Sequence, residues 1–291
     1  MNVRKIKDNI MKGTIVGIAS FNIVIVFLIF MFILRNSLKF FNMVPASDFF
    51  FGKVWISLSH IFGLLPLLSG TLWVSVVALF ISVPLSILTA VYIAEYASLK
   101  TREIFKILIE TMSALPSVVL GYIGLYILSG PIKNIFRLNT GLTAFTGGIL
   151  LAVMAMPTMI SIADDSLRAL DKSYKQASLA LGANKLETVV KVLLPSAFPG
   201  IFAGIMLGFG RIVGETMTVL MVTGNSPGLR STFLAPVRTM TATIAAEMGE
   251  VVQGSDHYYA LFAIGLVLFI ISFMTNTLGD YFIQKSRRAG K

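Results

Sequence analysis

Residues 13–34 read GTIVGIASFNIVIVFLIFMFIL, an uncharged run whose only polar side chains are Thr14, Ser20 and Asn22. An α-helix needs about 20 apolar residues to cross a hydrocarbon core ~30 Å thick, and this run is long enough. Arg4, Lys5, Lys7 and Lys12 precede it. A basic head of this kind also begins secretory signals, but the apolar run exceeds the ~7–15 residues usual there. Leu34-Arg35-Asn36-Ser37 moreover offers no small-residue cleavage site. The segment reads as a retained membrane helix.

The rest of the chain agrees. Of 291 residues, 56% are hydrophobic and 13% charged, with a mean hydropathy of +0.83. A water-soluble domain carries about 25% charged residues and could not cover its core with so few. Further spans are expected at 67–97, 107–128, 144–163, 198–222 and 258–283, which makes six. The expected fold is an all-α polytopic membrane protein. We divide it into residues 1–66 (tail, first helix and a loop) and a five-helix core over 67–291.

Several functions are excluded. With Cys at 0 there are no disulfides, thiol nucleophiles or thiolate metal sites, and two histidines, His60 and His257, make a histidine-rich metal site improbable. No catalytic residues are expected, because no Ser–His, HExxH or GxGD constellation stands out. A phosphate-binding G-x4-G-K-[ST] loop is missing: Gly52-Lys53 runs into Val54, and Gly290-Lys291 is the end of the chain. No cofactor is expected here, and a pump built on this chain draws its energy from another chain or an ion gradient.

The net charge of +10 is a matter of topology rather than nucleic-acid binding. Six crossings put both ends on one side. That side collects Arg4, Lys5, Lys7, Lys12, Lys100, Arg102 and Lys106. It also holds Arg168, Lys172, Lys175, Lys185, Lys191, Lys285, Arg287, Arg288 and Lys291. The other side has only Arg35, Lys39, Lys53, Lys133, Arg137, Arg230 and Arg238. By the positive-inside rule both termini are expected in the cytoplasm, with membrane lipid around the spans.

Residues 164–197 form a long loop on that basic side. Leu170, Tyr174, Ala177 and Leu181 make a helical apolar stripe, and Gly182 sits where a helix ends in the left-handed conformation. Asn184 and Glu187 have capping-box spacing for a second short helix, which Pro195 and Pro199 are expected to close. In the fifth span Arg211 and Glu215, one turn apart on a continuous helix, are expected to pair. Gly200, Gly204 and Gly208 lie on the same face and suit close helix packing. A buried arginine is either helix glue or a substrate contact, and its planar fork matches two phosphate oxygens. Pro84, Pro116 and Pro157 interrupt three spans. Glu110 reads as interfacial near the end of the third, Asp164-Asp165 as a solvated pair, and the histidines as interfacial.

Gln176-Ala177-Ser178, three residues, Gly182, nine residues and Val192-Leu193-Leu194-Pro195 resemble the EAA signature of ABC importer permeases, with Gln176 and Ser178 in place of its Glu and Ala. Gly70-Thr71-Leu72, Pro84-Leu85, Leu115-Pro116-Ser117-Val118-Val119-Leu120-Gly121, Gly214-Glu215-Thr216-Met217 and Thr223-Gly224-Asn225 are similar to phosphate importer permeases of the PstC type. The resemblance implies a type I (MetI-like) permease core in a bacterial or archaeal cytoplasmic membrane. It also implies a homologous PstA-type permease as partner and an extracytoplasmic phosphate-binding protein. Two ATPases, which use ATP and Mg, would dock at the loop of Gln176, Ala177, Ser178, Gly182, Leu194 and Pro195. Arg211 and Glu215 would be transport residues. A sulfate or molybdate permease and an ion-coupled carrier are the alternatives, although no internal repeat of the kind common in carriers is evident.

Overall fold

The computed structural model describes the backbone of residues 3–289 and the side chains of residues 11–282. The side chains of Arg4, Lys5, Lys7, Lys285, Arg287, Arg288 and Lys291, which carry the terminal part of the charge count, lie outside the described residues. Helix α1 (Val3–Phe41) leads into a short α2 (Ala46–Phe51) and a hairpin of β1 (Trp55–Ile56) and β2 (Ile61–Phe62), in which Trp55 pairs with Phe62. Helix α3 (Leu65–Val91) continues into a wide π-helical turn, Tyr92–Tyr96. Then come α4 (Leu99–Ser113), α5 (Ser117–Ile123), a second π-turn (Gly124–Leu128), α6 (Ser129–Ile135) and α7 (Ala144–Arg168). Helices α8 (Lys172–Ala180) and α9 (Lys185–Thr188) form the loop, followed by a third π-turn (Val189–Leu193), α10 (Leu194–Gly214), α11 (Met217–Val222), α12 (Met240–Glu247) and α13 (Asp256–Ala289).

Among the described residues, six segments are long and apolar enough to cross a membrane: Met11–Phe41, Leu65–Tyr96, Ser117–Ile135, Ala144–Arg168, Lys185–Gly214 and Asp256–Phe282. Two of them correct the sequence-based boundaries. The third does not run over 107–128, because Pro116 has no N–H to donate and disfavours helical backbone at Leu115. The helix therefore stops after Ser113 and restarts at Ser117 with Pro116 as its N-cap. Glu110 consequently lies on α4, outside that span. The fifth starts before 198, because the short loop helix does not close at Pro195 and Pro199 but runs on into it, and it ends at Gly214 rather than 222. Pro195 follows directly on the wide turn Val189–Leu193, and Pro199 is accommodated inside α10. Pro84 and Pro157 likewise lie inside unbroken helices.

The most extensive contact is α3 against α7, with α10 laid against α7 and α13, and α1 against α13. Glycine lets the first pair approach, since a Cβ on Gly148 would stand 2.5 Å from Val77. Three apolar clusters stack along the bundle. One around Val74, Leu151, Met154 and Ile212 is central, and one around Phe40, Trp55, Phe62 and Leu261 lies at the hairpin end. The third, with Ile93, Ile160, Leu167, Val189 and Leu193, lies at the loop end. At the hairpin end the largely buried Glu247 carboxylate accepts from Trp55 Nε1, from Arg238 Nη1 at 2.6 Å and faces His257 Nε2 at 2.7 Å. His257 is thus part of a polar network rather than a lone interfacial ring, while the exposed His60 pairs with Asp256 at 3.0 Å. Helix α1 exposes Ile15, Phe21, Ile23 and Phe27, as a lipid-facing helix does.

Candidate functional site

The loop is built by local hydrogen bonds. Asp171 caps α8 by accepting from the Ser173 amide at 2.8 Å, and that bond holds its carboxyl below the usual carboxylate range. Gly182 has φ of 87°, the left-handed conformation that a residue with a Cβ resists. Asn184 Oδ1 accepts from the Glu187 amide at 2.8 Å while Glu187 Oε2 accepts from the Asn184 amide at 2.9 Å, a complete capping box. Ser178 is buried and its hydroxyl meets that of Thr188 at 2.9 Å, which ties the two short helices together.

Leu170 packs against the loop-end cluster, but the rest of the apolar stripe does not pack into this chain. Tyr174 is exposed and Leu181 is 90% exposed. Together with Ala177, Gly182, Glu187 and Lys191 they line an open groove of about 590 Å³. Gln176 instead lines a second groove of about 530 Å³ with Glu95, Lys175 and Leu193, while Pro195 is exposed and Leu194 half-buried. An apolar groove on an otherwise polar loop is what a protein partner covers.

In the fifth span the structure places Gly200, Gly204 and Gly208 against α7. A Cβ at Gly200 would meet Ser166, one at Gly204 would touch Ile162, and one at Gly208 would overlap Met159. Gly210 instead faces Thr275 and Asn276, and Gly214 has open space beside it. The expected pairing of Arg211 with Glu215 is not formed, because α10 ends at Gly214 and Glu215 takes an extended backbone with ψ of 134°. The i, i+4 geometry is lost with the helix. Glu215 Oε1 turns forward to accept from the Thr218 amide at 3.3 Å, so that it caps α11.

The freed backbone is satisfied from afar, as non-helical peptide inside a membrane requires. Thr241 donates its hydroxyl to the Glu215 carbonyl at 2.7 Å, and Thr218 donates to the carbonyl of Ser117 at 3.0 Å. Arg211, half-buried, donates from Nη1 to Thr158 Oγ1 at 3.4 Å and makes no ion pair among the described residues. Thr158, Thr218 and Thr241 went unnoticed in the sequence because each acts across tens of residues. Asp164 is not merely solvated, since it accepts from Arg168 Nε at 2.7 Å. With Asp165, Arg102, Lys106 and Glu110 it lines a small groove of about 90 Å³ between α4 and α7.

Residues 82–288, from within α3 to near the end of α13, match the model of the binding-protein-dependent transport system inner membrane component family. The chain belongs to that family. It is 36% identical over 226 residues to the probable ABC transporter permease protein YqgH of Bacillus subtilis, covering 78% of this chain and 73% of that one. It is 30% identical over 312 residues to the probable phosphate transport system permease protein PstC of Methanocaldococcus jannaschii, covering 99% and 98%. Among solved structures, a chain of a bacterial ABC transporter that imports alginate aligns with a TM-score of 0.60 at 15% identity, over 99% of this chain and 100% of that one. A chain of the inward-facing MetNI methionine ABC transporter aligns with 0.54 at 18% identity, over 77% and 94%. These neighbours share the fold, a MetI-like permease core. Membership makes this chain a multi-pass transport component rather than an enzyme.

Proposed function

We propose that this permease is the PstC-type subunit of an ATP-driven phosphate importer and that Arg211 is its anion contact. The observation that carries the reading is a guanidinium inside a membrane span with no carboxylate on it among the described residues. A lone arginine in a span costs ~2.5–3.5 kcal/mol or more unless it faces a partner or a water-filled path. With Glu215 turned to cap α11, the fork of Arg211 is free for two oxygens of an oxyanion. Glu215 serves transport by holding the break open beside that fork. Relatives named phosphate permeases support the choice of anion.

On this reading a PstA-type permease completes the path opposite Arg211. Two ATPases, using ATP and Mg, cover the Gly182 groove, and a phosphate-binding protein docks at the hairpin end. Both termini and the loop are cytoplasmic in a bacterial or archaeal inner membrane, in keeping with the basic side of the chain.

The test is uptake of labelled phosphate by the complete complex in proteoliposomes, with sulfate and molybdate as competitors. Arg211→Met should assemble normally and lose uptake about 10-fold to 100-fold, the scale of a charge-assisted hydrogen bond in the path. Arg211→Lys should be intermediate, because a point charge cannot reproduce the two-pronged contact. Full uptake by Arg211→Met would end the proposal, and equal competition by sulfate would move it to another oxyanion.

A further inference from the structure

The loop is fastened to the bundle at more than its covalent ends. Two lysines, one on each side of Gly182, reach the same place: Lys175 Nζ lies 2.5 Å from Glu95 Oε2, and Lys185 Nζ lies 4.2 Å from the centre of the Tyr96 ring. Glu95 and Tyr96 both belong to the π-turn Tyr92–Tyr96 that ends the second span, closed by the Ala97 amide on the Tyr92 carbonyl at 2.9 Å. The Glu95 side chain is only 13% exposed, so the pair is better shielded than an ordinary surface bridge.

Beneath these polar contacts Ile93 of that turn packs in one cluster with Leu167, Val189 and Leu193. Val189 to Leu193 is itself a π-turn, on the other side of the loop. Single wide turns of this kind are rare inside helices and are found mostly at functional sites. The loop therefore sits between two such turns, bonded to one through side chains and to the other through the chain.

Helix α3 carries any motion of the first turn to the opposite end. It lies along α7 for its length, and near its start the Thr71 hydroxyl accepts from the Met240 amide at 3.1 Å. A Cβ on Gly70 would collide with the Arg238 carbonyl, so α3 also abuts the segment that holds Glu247. One continuous helix thus joins the Gly182 loop to the polar network at the hairpin end.

We propose that the Tyr92–Tyr96 turn is the receiver of loop motion, and that the Lys175–Glu95 ion pair is the strut through which ATPase movement enters the second span. This rests on the reading of the loop as the ATPase dock. Lys175 and Glu95 act as positioning residues and touch no substrate.

The experiment uses the whole complex in lipid nanodiscs with phosphate-loaded binding protein. It compares the parent with Lys175→Glu, Glu95→Lys and the double exchange, reading basal ATP hydrolysis, its stimulation and ATPase recovered with the permease. Each single reversal should cut the stimulated-to-basal ratio by about fivefold or more, the usual lower range of a coupling energy, at near-normal basal rate and recovery. The double exchange should return most of the ratio. An unchanged ratio in the single variants overturns the strut, as does a double exchange that assembles without recovering it. If a reversal fails to assemble, Glu95→Gln keeps the shape without the charge, and an unchanged ratio there is equally fatal. A parent complex that recovers no ATPase would instead refute the docking reading.

Discussion

The chain interrupts its helices twice around the fifth span, once at Gly182 and once at Gly214 to Thr216, and the two breaks are held by opposite means. At Gly182 nearly every partner is within ten residues: Gly182 N donates to Leu179 O, Ala183 N to Ser178 O, and Asn184 and Glu187 cap each other. At Gly214 local bonds, Glu215 N to Ile212 O and Thr218 N to Glu215 Oε1, are joined by partners from Ser117, Thr158 and Thr241 on three other helical segments. Water can solvate whatever the first break leaves over, whereas a break within a span has only protein to turn to. A surface corner is thus a property of its own sequence, and an intramembrane break is a property of the assembled fold.

The largest expected effect that follows is at Gly182. A Cβ there meets nothing within 4 Å, so Gly182→Val introduces no clash within this chain. Its cost is conformational, about 1–3 kcal/mol for a β-branched residue held at positive φ. The Gly182→Val chain escapes that cost by letting the exposed corner relax, so the purified permease should keep its thermal stability, while the ATPase, which must restore the corner to dock, is recovered about tenfold less. Gly182→Asn, which tolerates the left-handed region, should lose far less. A Val variant with full ATPase recovery would show that the corner has no need of its shape.

The intramembrane break answers to a distant change. Thr241→Val removes the donor to the Glu215 carbonyl and leaves a polar group unpaired where water is scarce, at a cost of about 1–3 kcal/mol. The variant should unfold at a lower temperature in detergent and transport phosphate more slowly, whereas Thr241→Ser should match the parent on both counts. Equal melting of Val and parent would mean that the break is satisfied from elsewhere.

This division also explains what the sequence reading recovered. The six spans were legible because hydropathy is summed over some 20 residues and tolerates local error. The capping box of Asn184 and Glu187 and the positive φ of Gly182 were legible because their spacing contains the whole interaction. The ends of the third and fifth spans were not. Apolar composition continues through Pro116 and through Thr216, so the breaks are invisible to hydropathy, and only the backbone shows that Arg211 and Glu215 part company. The same blindness hid Glu95 beneath Lys175, 80 residues away in the chain.

The smallest expected effect tests the corner's self-sufficiency directly. Asn184→Ala deletes one half of the capping box and frees the Glu187 amide, a loss of about 1 kcal/mol for a cap of this kind. Because Asn184 and Lys185 are exposed and the π-turn beyond them is anchored by buried Val189 and Leu193, the damage should stop at the first turn of α9. Amide exchange at Glu187 and Thr188 should then quicken about fivefold, the factor that ~1 kcal/mol gives, with no change at residues of α10. Thr188 is the sensitive reporter, since its hydroxyl also holds Ser178 of α8, and faster exchange there should be matched by faster exchange around Ser178. If quickening instead spreads through α10 toward Gly214, the two breaks are mechanically joined, and the contrast between a local corner and a fold-dependent break would fail.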